Sequence, residues 1–323
     1  MIRITCIITS AGTEKNLPLL YKCILSLRNA REKNTLVTII VTTENQKHCI
    51  GKVRKLLNTI IVCPKYSGFV GMNNTALTNT IHTYPSDYYL FINDDAWIEN
   101  DFFSELSNYI NNSLSQPDVC IPLIYEMETK TLDSFGVEYF RSGYSKNSET
   151  TSIETTLASM SCLLIKTSFL KKILTLYGYF LHPLLAWYLD DVEFSLRALA
   201  SGANFHKCEK LIVHHYRTFT WGRKSFFVMY QSFRNIIWII LLTWPKQIIK
   251  RNVLHIFFLQ SLIILYSLIH YGPFMYPKII IETIRNWKYI LRYRRHAISK
   301  YKKNLIFDSI FSKLTLRSKY GTL

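Results

Sequence analysis

The sequence predicts an α/β fold built around a doubly wound, mostly parallel sheet, and three patterns indicate it. Short apolar runs alternate with helically spaced apolar residues through about residues 1–125. Polar residues follow several of these runs, at the strand ends where doubly wound sheets bind ligands. After about residue 222 the composition changes to long apolar segments separated by basic residues, which predicts an additional helical region.

The first part of the chain predicts four strands with helices between them. The strands are apolar runs with polar flanks, as buried parallel strands are, and they cover 2–10, 36–43, 59–64 and 88–93. Helices are predicted between them from Leu17 to Leu27 and over 46–58, a loop and a helix are predicted across 65–83, and a further helix begins at Asp101.

The second part begins with a polar, Ser/Thr-rich stretch at 130–160, which predicts hairpins and loops. Residues 162–174 predict a strand followed by a helix. Residues 190–202 predict a helix in which Glu193 and Arg197 pair one turn apart, and Gly202 ends it.

The charge of the chain is concentrated in its last third. Residues 1–206 contain 18 Lys and Arg against 19 Asp and Glu, whereas residues 207–323 contain 21 against three. Such a basic region indicates a polyanionic partner. Because the charges alternate with long apolar runs, such as 253–269, we expect amphipathic helices on an anionic membrane surface rather than a nucleic-acid site.

The seven cysteines show no CxxC pair, which is typical of buried, reduced thiols.

The motif "NDDA" follows the fourth strand and places Asn93, Asp94 and Asp95 together. Neighbouring carboxylates suit Mg²⁺ or Mn²⁺, which usually arrives with the phosphates of a substrate. A turn that caps the next helix explains the same residues equally well.

Three further motifs have both a chemical and a structural interpretation. In "SGFVGMNNTAL", Gly68 permits close backbone approach and Asn74 either contacts a substrate or braces the loop. In "WYLDDVEF", Asp190 and Asp191 open a helix, where repulsion raises one pKa toward that of a general base, or where they cap the helix. "LIVHHY" ends an apolar strand in two histidines, which bind metal or serve the fold.

In this order, the motifs resemble those of inverting glycosyltransferases of family 2, which have the GT-A fold, and in particular the bacterial rhamnosyltransferase-like group that builds surface polysaccharides. The resemblance covers about residues 2–245. The matching positions are Gly68-Phe69 with Asn74, Asn93-Asp94-Asp95, Ser161-Cys162, Asp190-Asp191 and His214. The sequence departs from the family pattern where Glu44 stands one step late and where Tyr66 and Asn93 replace the expected residues.

The resemblance implies a role for each matching residue. Asp191 would be the catalytic base, with Asp190 as the alternative, and the acceptor would bind at Trp187 and Ser161. Mg²⁺ or Mn²⁺ would be held by Asp95, Asp94 and His214. The nucleoside-diphosphate sugar donor would bind at Thr9, Ser10, Thr43, Glu44, Gly68, Phe69, Asn74, Asn93 and Asp94.

The resemblance also implies two regions and a location. A GT-A domain at 1–222 would divide into a nucleotide-sugar half (1–125) and an acceptor half (126–222). Residues 223–323 would attach it peripherally to the cytoplasmic face of the inner membrane, where polyprenyl-diphosphate-linked glycans serve as acceptors. The sugar, nucleotide, linkage and oligomeric state stay open.

Two other enzyme classes stay open as well. "QSFRN" at 231–235 echoes the Q-x-x-R-W motif of processive membrane polysaccharide synthases, although Asn235 replaces the tryptophan. A metal-dependent phosphohydrolase or nucleotidyltransferase uses similar carboxylates.

Overall fold

The structure is a computed structural model that describes residues 2–30, 35–43, 53–63, 67–113, 115–148, 157–216, 224–301, 307, 310 and 311.

A nine-stranded sheet forms the centre of the protein, and a separate two-stranded hairpin, β8–β9, lies beside it. The order in the sheet is β3-β2-β1-β4-β10-β6-β11-β5, and β7 pairs with β6. The strands are β1 (Ile2–Ser10), β2 (Thr35–Thr43), β3 (Thr59–Val62), β4 (Tyr88–Asn93), β5 (Ala96–Ile98), β6 (Val119–Glu126), β7 (Leu132–Ser134), β8 (Val137–Tyr139), β9 (Ser145–Asn147), β10 (Cys162–Lys166) and β11 (Phe205–His215).

The predicted α/β fold with a mostly parallel sheet is confirmed. β1 runs parallel to β2 and β4, and β6 runs parallel to β11, whereas β10 is antiparallel to both of its neighbours. The short strand β5, which directly follows the acidic motif, was not predicted. A segment of three residues is too short for its hydrophobic periodicity to indicate a strand. β5 forms because it pairs with β11.

Helices cover both faces of the sheet and form the C-terminal region. They are α1 (Leu17–Asn29), α2 (Gly68–Thr80), α3 (Phe102–Asn112), α4 (Thr167–Tyr177), α5 (Asp190–Ala200), α6 (Phe226–Thr243), α7 (Lys246–Arg251), α8 (Val253–Tyr271), α9 (Met275–Arg285) and α10 (Trp287–Ser299). The helix predicted over 46–58 lies largely outside the described residues, which show only a short 3₁₀ turn at Arg54–Leu56.

The alternation of side chains along the strands fills two apolar layers. On β1, Ile4, Cys6 and Ile8 face a core that α1 and α3 complete, while Ile7 faces a second core completed by α2, α4 and α5. Because helices cover both faces of the sheet, side chains on both faces of a strand are buried, and the strand sequences are therefore continuous apolar runs. The six described cysteines are buried, as expected.

The C-terminal helices share a core with the sheet domain. On α6, Trp238 and Leu242 are buried in one cluster with Leu185, Val192 and Leu196 from the turn before α5 and from α5 itself. This packing joins α6 to α5 and to the turn before it.

Helix α8 differs from the predicted amphipathic helix. Its exposed large apolar residues cover about half of its circumference. On the other side Ile256, Leu259 and Ile263, which are also apolar, pack against the protein, and among the residues of the helix only Ile263 and Ser267 are buried. Two described helices, α6 and α8, are long and apolar enough to cross a membrane. Half of α6 is buried inside the protein, compared with 11% of α8.

Candidate active site

The carboxyl ends of three neighbouring strands bring together several residues predicted to bind the donor. In the register, Thr9 lies beside Asn93 on one side and Thr42 on the other, and Ser10 lies beside Thr43. Thr9, Ser10 and Thr43 are buried polar residues at one edge of the sheet. The last predicted donor residue on this edge, Glu44, lies outside the described residues.

Asp94 is anchored at this edge by two hydrogen bonds. The Ser10 hydroxyl donates to its Oδ2 at 2.6 Å, and the Asn16 amide donates to the same oxygen at 3.2 Å. Burial, followed by repulsion from Asp95, raises the pKa of Asp94 to about 7 despite these hydrogen bonds. A nearby cation would therefore favour the ionised form of Asp94.

Asp95 faces His215, which bridges two carboxylates. The Asp95 Oδ1 lies 3.3 Å from His215 Nε2, and Asp133 Oδ2 lies 3.0 Å from His215 Nδ1. Burial alone lowers the pKa of His215, but the hydrogen bonds to Asp133 and Asp95 outweigh it and raise the pKa to about 9. Asp133 thus fixes the orientation of an imidazole that presents Nε2 to Asp95.

His214, the predicted metal ligand, lies on the other side of β11. Its Nε2 lies 2.5 Å from Glu99 Oε1, and its ring stacks on Trp97 with the centroids 6.0 Å apart. Successive residues of a strand point to opposite faces, so only one of the two histidines can reach Asp95. The structure therefore places His215, and not His214, beside the acidic motif.

The residues at this edge fit a divalent cation that a substrate helps to bind. Asp95 offers a carboxylate, and His215 offers an imidazole nitrogen if metal binding displaces its Nε2 proton; both are ligands that suit Mn²⁺. The Asn93 Oδ1 is buried without a hydrogen-bond partner and offers a further oxygen. Within the described residues no preformed group of three His, Cys, Asp or Glu ligands exists, so phosphate oxygens would complete the coordination.

Asp191 and Asp190 begin α5 in different environments. Asp190 is buried and its Oδ2 has no hydrogen-bond partner, whereas Asp191 stays partly exposed. The Asp191 carboxylate accepts hydrogen bonds from the amides of Val192 at 2.8 Å and Met160 at 3.4 Å. Burial raises the pKa of Asp191 to about 6 against these bonds, and that of Asp190 well above its ordinary range. Asp191 is thus the accessible carboxylate of the pair.

A short main-chain path connects Asp191 to the acidic motif. Met160, which hydrogen-bonds Asp191, is followed by Ser161, whose carbonyl accepts a hydrogen bond from Asn93 at 3.0 Å. Ser161, the predicted acceptor residue, therefore lies between the two groups of carboxylates.

The first residue of α2 contacts the second predicted acceptor residue. Gly68 has a φ of +65°, and a Cβ atom there would lie 2.9 Å from both the Ala186 carbonyl and the Trp187 Nε1. Trp187 thus packs directly on the Gly68-Phe69 turn.

Asn74 braces the fold, which is one of the two roles its motif predicted. Its side-chain amide donates to the Leu181 carbonyl and its oxygen accepts from the Leu181 amide, both at 2.8 Å. Both polar atoms are engaged, so the structure does not bring Asn74 to a donor.

The sequence did not indicate Asn16 or Asp133 as residues of the site, and it did not show that His215 rather than His214 faces Asp95. Leu211, Val213 and His215 share one side of β11, and Leu211 and Val213 are buried. Since Ile212 on the other side is also apolar, the pattern could not select between the histidines. Asp133 and Asn16 lie far from the motif in sequence, and no signal pointed to them.

The fold is similar to those of solved glycosyltransferases of GT-A type. The structure of GalNAc-T7 with UDP, GalNAc and Mn²⁺ matches 76% of the chain with a TM-score of 0.58 and 13% identity. That of S. aureus TarS 1-349 in complex with UDP-GlcNAc matches 79% with a TM-score of 0.51 and 15% identity.

The matched part corresponds to 49% of GalNAc-T7 and 70% of the TarS fragment, so the chain spans about half the length of GalNAc-T7. No protein-family model and no curated protein sequence matches the chain. At these identities the likeness establishes the GT-A fold, and the chemistry rests on the site.

Proposed function

We propose that the protein is an inverting glycosyltransferase that moves a sugar from a nucleoside diphosphate to a hydroxyl group of a lipid-linked bacterial surface glycan. One observation carries the proposal: a partly exposed carboxylate, Asp191, lies one short main-chain path from the Asp94–Asp95–His215 group at the strand ends. Direct displacement at a sugar carbon requires a base and a diphosphate site in one active site.

The chain's residues divide the reaction between them. The strand-end group holds the diphosphate of the donor, and the Ser161 and Trp187 region holds the acceptor. Asp191 takes the proton from the acceptor hydroxyl, whose oxygen then bonds to the anomeric carbon. The bond from that carbon to the diphosphate oxygen breaks, its electron pair leaves with the diphosphate, and the configuration inverts. A divalent cation bound by Asp95 and His215 would supply positive charge to the leaving diphosphate.

The proposed donor is a UDP-sugar. GalNAc-T7 was solved with UDP and GalNAc, and the TarS fragment with UDP-GlcNAc. In this protein Thr9, Ser10 and Thr43 lie at the carboxyl ends of neighbouring strands. These ends are where doubly wound sheets bind nucleotides.

Calorimetry of UDP binding, with and without Mn²⁺, tests the donor and metal assignments. We expect tighter binding of UDP than of GDP, and a gain in affinity on adding Mn²⁺ that Asp95→Ala and His215→Ala remove. His214→Ala is the matched control, because the same side chain is lost from the opposite face of the strand, and it should keep the gain. Equal binding of all nucleotides, or loss of the gain only in His214→Ala, would contradict the assignment.

We propose that the C-terminal helices attach the enzyme to an anionic membrane surface. Helix α8 and its neighbours expose large apolar side chains, including Phe257 (71% exposed) and Phe274 (81% exposed). Exposed basic residues flank them, among them Arg251, Arg285 and Lys288. Apolar side chains bordered by cations match the acyl region and the headgroups of anionic lipids.

Co-sedimentation with vesicles tests the attachment. The protein should bind phosphatidylglycerol-containing vesicles better than neutral ones, and Phe257→Glu should weaken binding about tenfold or more, since burying one Phe stabilises by roughly 1.5–3 kcal/mol. Leu36→Glu is the control, because Leu36 is exposed on β2, outside the helical region, and its loss should leave binding unchanged. Equal binding to neutral vesicles, or equal effects of the two substitutions, would exclude the proposal. Protease protection of residues beyond α8 in sealed vesicles would show that α8 crosses the bilayer.

A further inference from the structure

The turn that precedes α5 holds an unusual concentration of strained backbone. Ala186, Tyr188 and Leu189 have φ angles of 48°, 62° and 59°. Among the described residues, the only other non-glycine residue with a positive φ is Lys130. Such conformations persist only where the surroundings enforce them, and they concentrate at functional sites.

One buried side chain, Asn235 on α6, holds this turn. Its Nδ2 donates to the carbonyls of Trp187 and Tyr188, both at 2.7 Å, and lies 3.2 Å from the carbonyl of Leu185. Asn235 is fully buried, so it cannot itself touch a substrate. A side chain that donates to two carbonyls of the turn and lies close to a third fixes the turn far more narrowly than apolar packing does.

Asn235 is in turn oriented by an ion pair within the C-terminal region. The Arg234 Nη2 donates to Asn235 Oδ1 at 2.9 Å, which fixes the amide with its nitrogen toward the turn. The Arg234 Nη1 donates to Glu282 on α9 at 2.8 Å. Glu282 is the single acidic residue among residues 224–301, and its carboxylate pairs with Arg234.

The turn carries the acceptor side of the site. Trp187 packs on Gly68, and the Ala186 carbonyl accepts a hydrogen bond from the amide of Val70 at 3.1 Å. Asp190 and Asp191 follow the turn without an intervening residue. Movement of the turn would therefore displace both Trp187 and the base.

We infer that Asn235 is a positioning residue, which Arg234 and Glu282 orient so that it holds the 185–189 turn and with it Trp187 and Asp191. The C-terminal helices thereby help to shape the active site as well as to attach the protein. The kinetic part of this inference rests on the proposed transferase function, whereas its structural part does not.

The test compares two buried asparagines of the same helical region. Asn235→Ala removes the contact with the turn. Asn252→Ala is the matched control, because Asn252 is also buried and its Nδ2 donates to a main-chain carbonyl at 2.9 Å, but that carbonyl belongs to Ile248 and not to the turn. Glu282→Gln is a milder variant, which keeps the size of the side chain and removes the charge that orients Arg234.

Hydrogen–deuterium exchange of the full-length protein gives a readout that needs no activity. In Asn235→Ala the amides of residues 185–193 should exchange about tenfold faster or more, because the turn opens locally. Glu282→Gln should change the same amides by less, and Asn252→Ala should leave them as in the wild type.

Hydrolysis of UDP-GlcNAc, with water in place of the acceptor, gives the kinetic readout. Asn235→Ala should lower kcat about 100-fold, as a displacement of about 1 Å at a catalytic group does, with UDP affinity unchanged. Unchanged exchange at residues 185–193 in Asn235→Ala, or equal changes in Asn252→Ala, would overturn the inference. Absence of UDP binding by the wild type would instead overturn the proposed donor, and the exchange result would still decide the role of Asn235.

Discussion

Replacing Gly68 with alanine should damage the protein in two separable ways. The residue has a φ of +65°, which costs an L-residue about 1–2 kcal/mol. The new Cβ would also lie 2.9 Å from the Ala186 carbonyl and from the Trp187 Nε1, well inside ordinary contact, and overpacking of this kind costs about 1–3 kcal/mol. We therefore expect Gly68→Ala to lower the free energy of unfolding by about 2–5 kcal/mol.

The chain supplies a control that isolates the backbone contribution. Gly178, at the end of α4, has a φ of +81°, and a Cβ there would meet nothing within 4 Å. Gly178→Ala should therefore cost only about 1–2 kcal/mol, so that the difference between the two variants measures the contact with the 185–189 turn.

Urea unfolding measures both free energies, and UDP-GlcNAc hydrolysis measures the consequence for the site. We expect Gly68→Ala to lose activity, because its Cβ pushes Trp187 from its position, and Gly178→Ala to keep the wild-type rate. If both variants lose equal stability and equal activity, the proposed contact between the Gly68 loop and Trp187 is not important to the site.

Two further predictions concern charged residues of α5. Since burial raises the pKa of Asp191 to about 6 and a base acts only when ionised, kcat/KM should rise with pH through about 6 and then level off. In Asp191→Asn the rise of kcat/KM with pH should disappear, and the rate should fall by about 100-fold or more. An unchanged pH–rate profile in this variant would show that another residue is the base. Arg197 and Glu193 form a buried ion pair at 2.9 Å, so Arg197→Leu should cost about 3–5 kcal/mol in urea unfolding by leaving the Glu193 carboxylate unpaired. Replacing both Arg197 and Glu193 with uncharged residues should recover most of the lost free energy of unfolding. A double variant as unstable as Arg197→Leu would show that the pair stabilises the protein by more than its charges.

Much of the site could be predicted because its residues lie within short motifs. Asp94 and Asp95 follow directly on an apolar strand, and Asp190 and Asp191 directly open a helix, so local periodicity located both groups. The sequence could not show that Asp190 is buried while Asp191 is partly exposed, because that depends on how α5 packs against the segment around Met160.

Residues that act through distant contacts could not be predicted. Asp133 reaches His215 across 82 positions of sequence, and Asn235 reaches Trp187 across 48. The "QSFRN" segment suggested a synthase motif, but its role in holding the 185–189 turn appears only in the hydrogen bonds that α6 makes with that turn.

The sequence by itself determined the alternation of strands and helices, the place of the acidic motif at a strand end and the basic, apolar character of the last third. These properties depend on the spacing of residues along a few turns or one strand, and that spacing is set locally. Only the tertiary structure decided which histidine faces Asp95, which aspartate stays accessible, and that Glu282, Arg234 and Asn235 connect the C-terminal helices to the turn before Asp191. Those outcomes depend on strand pairing and helix packing between segments far apart in the chain, where no local pattern specifies the partner.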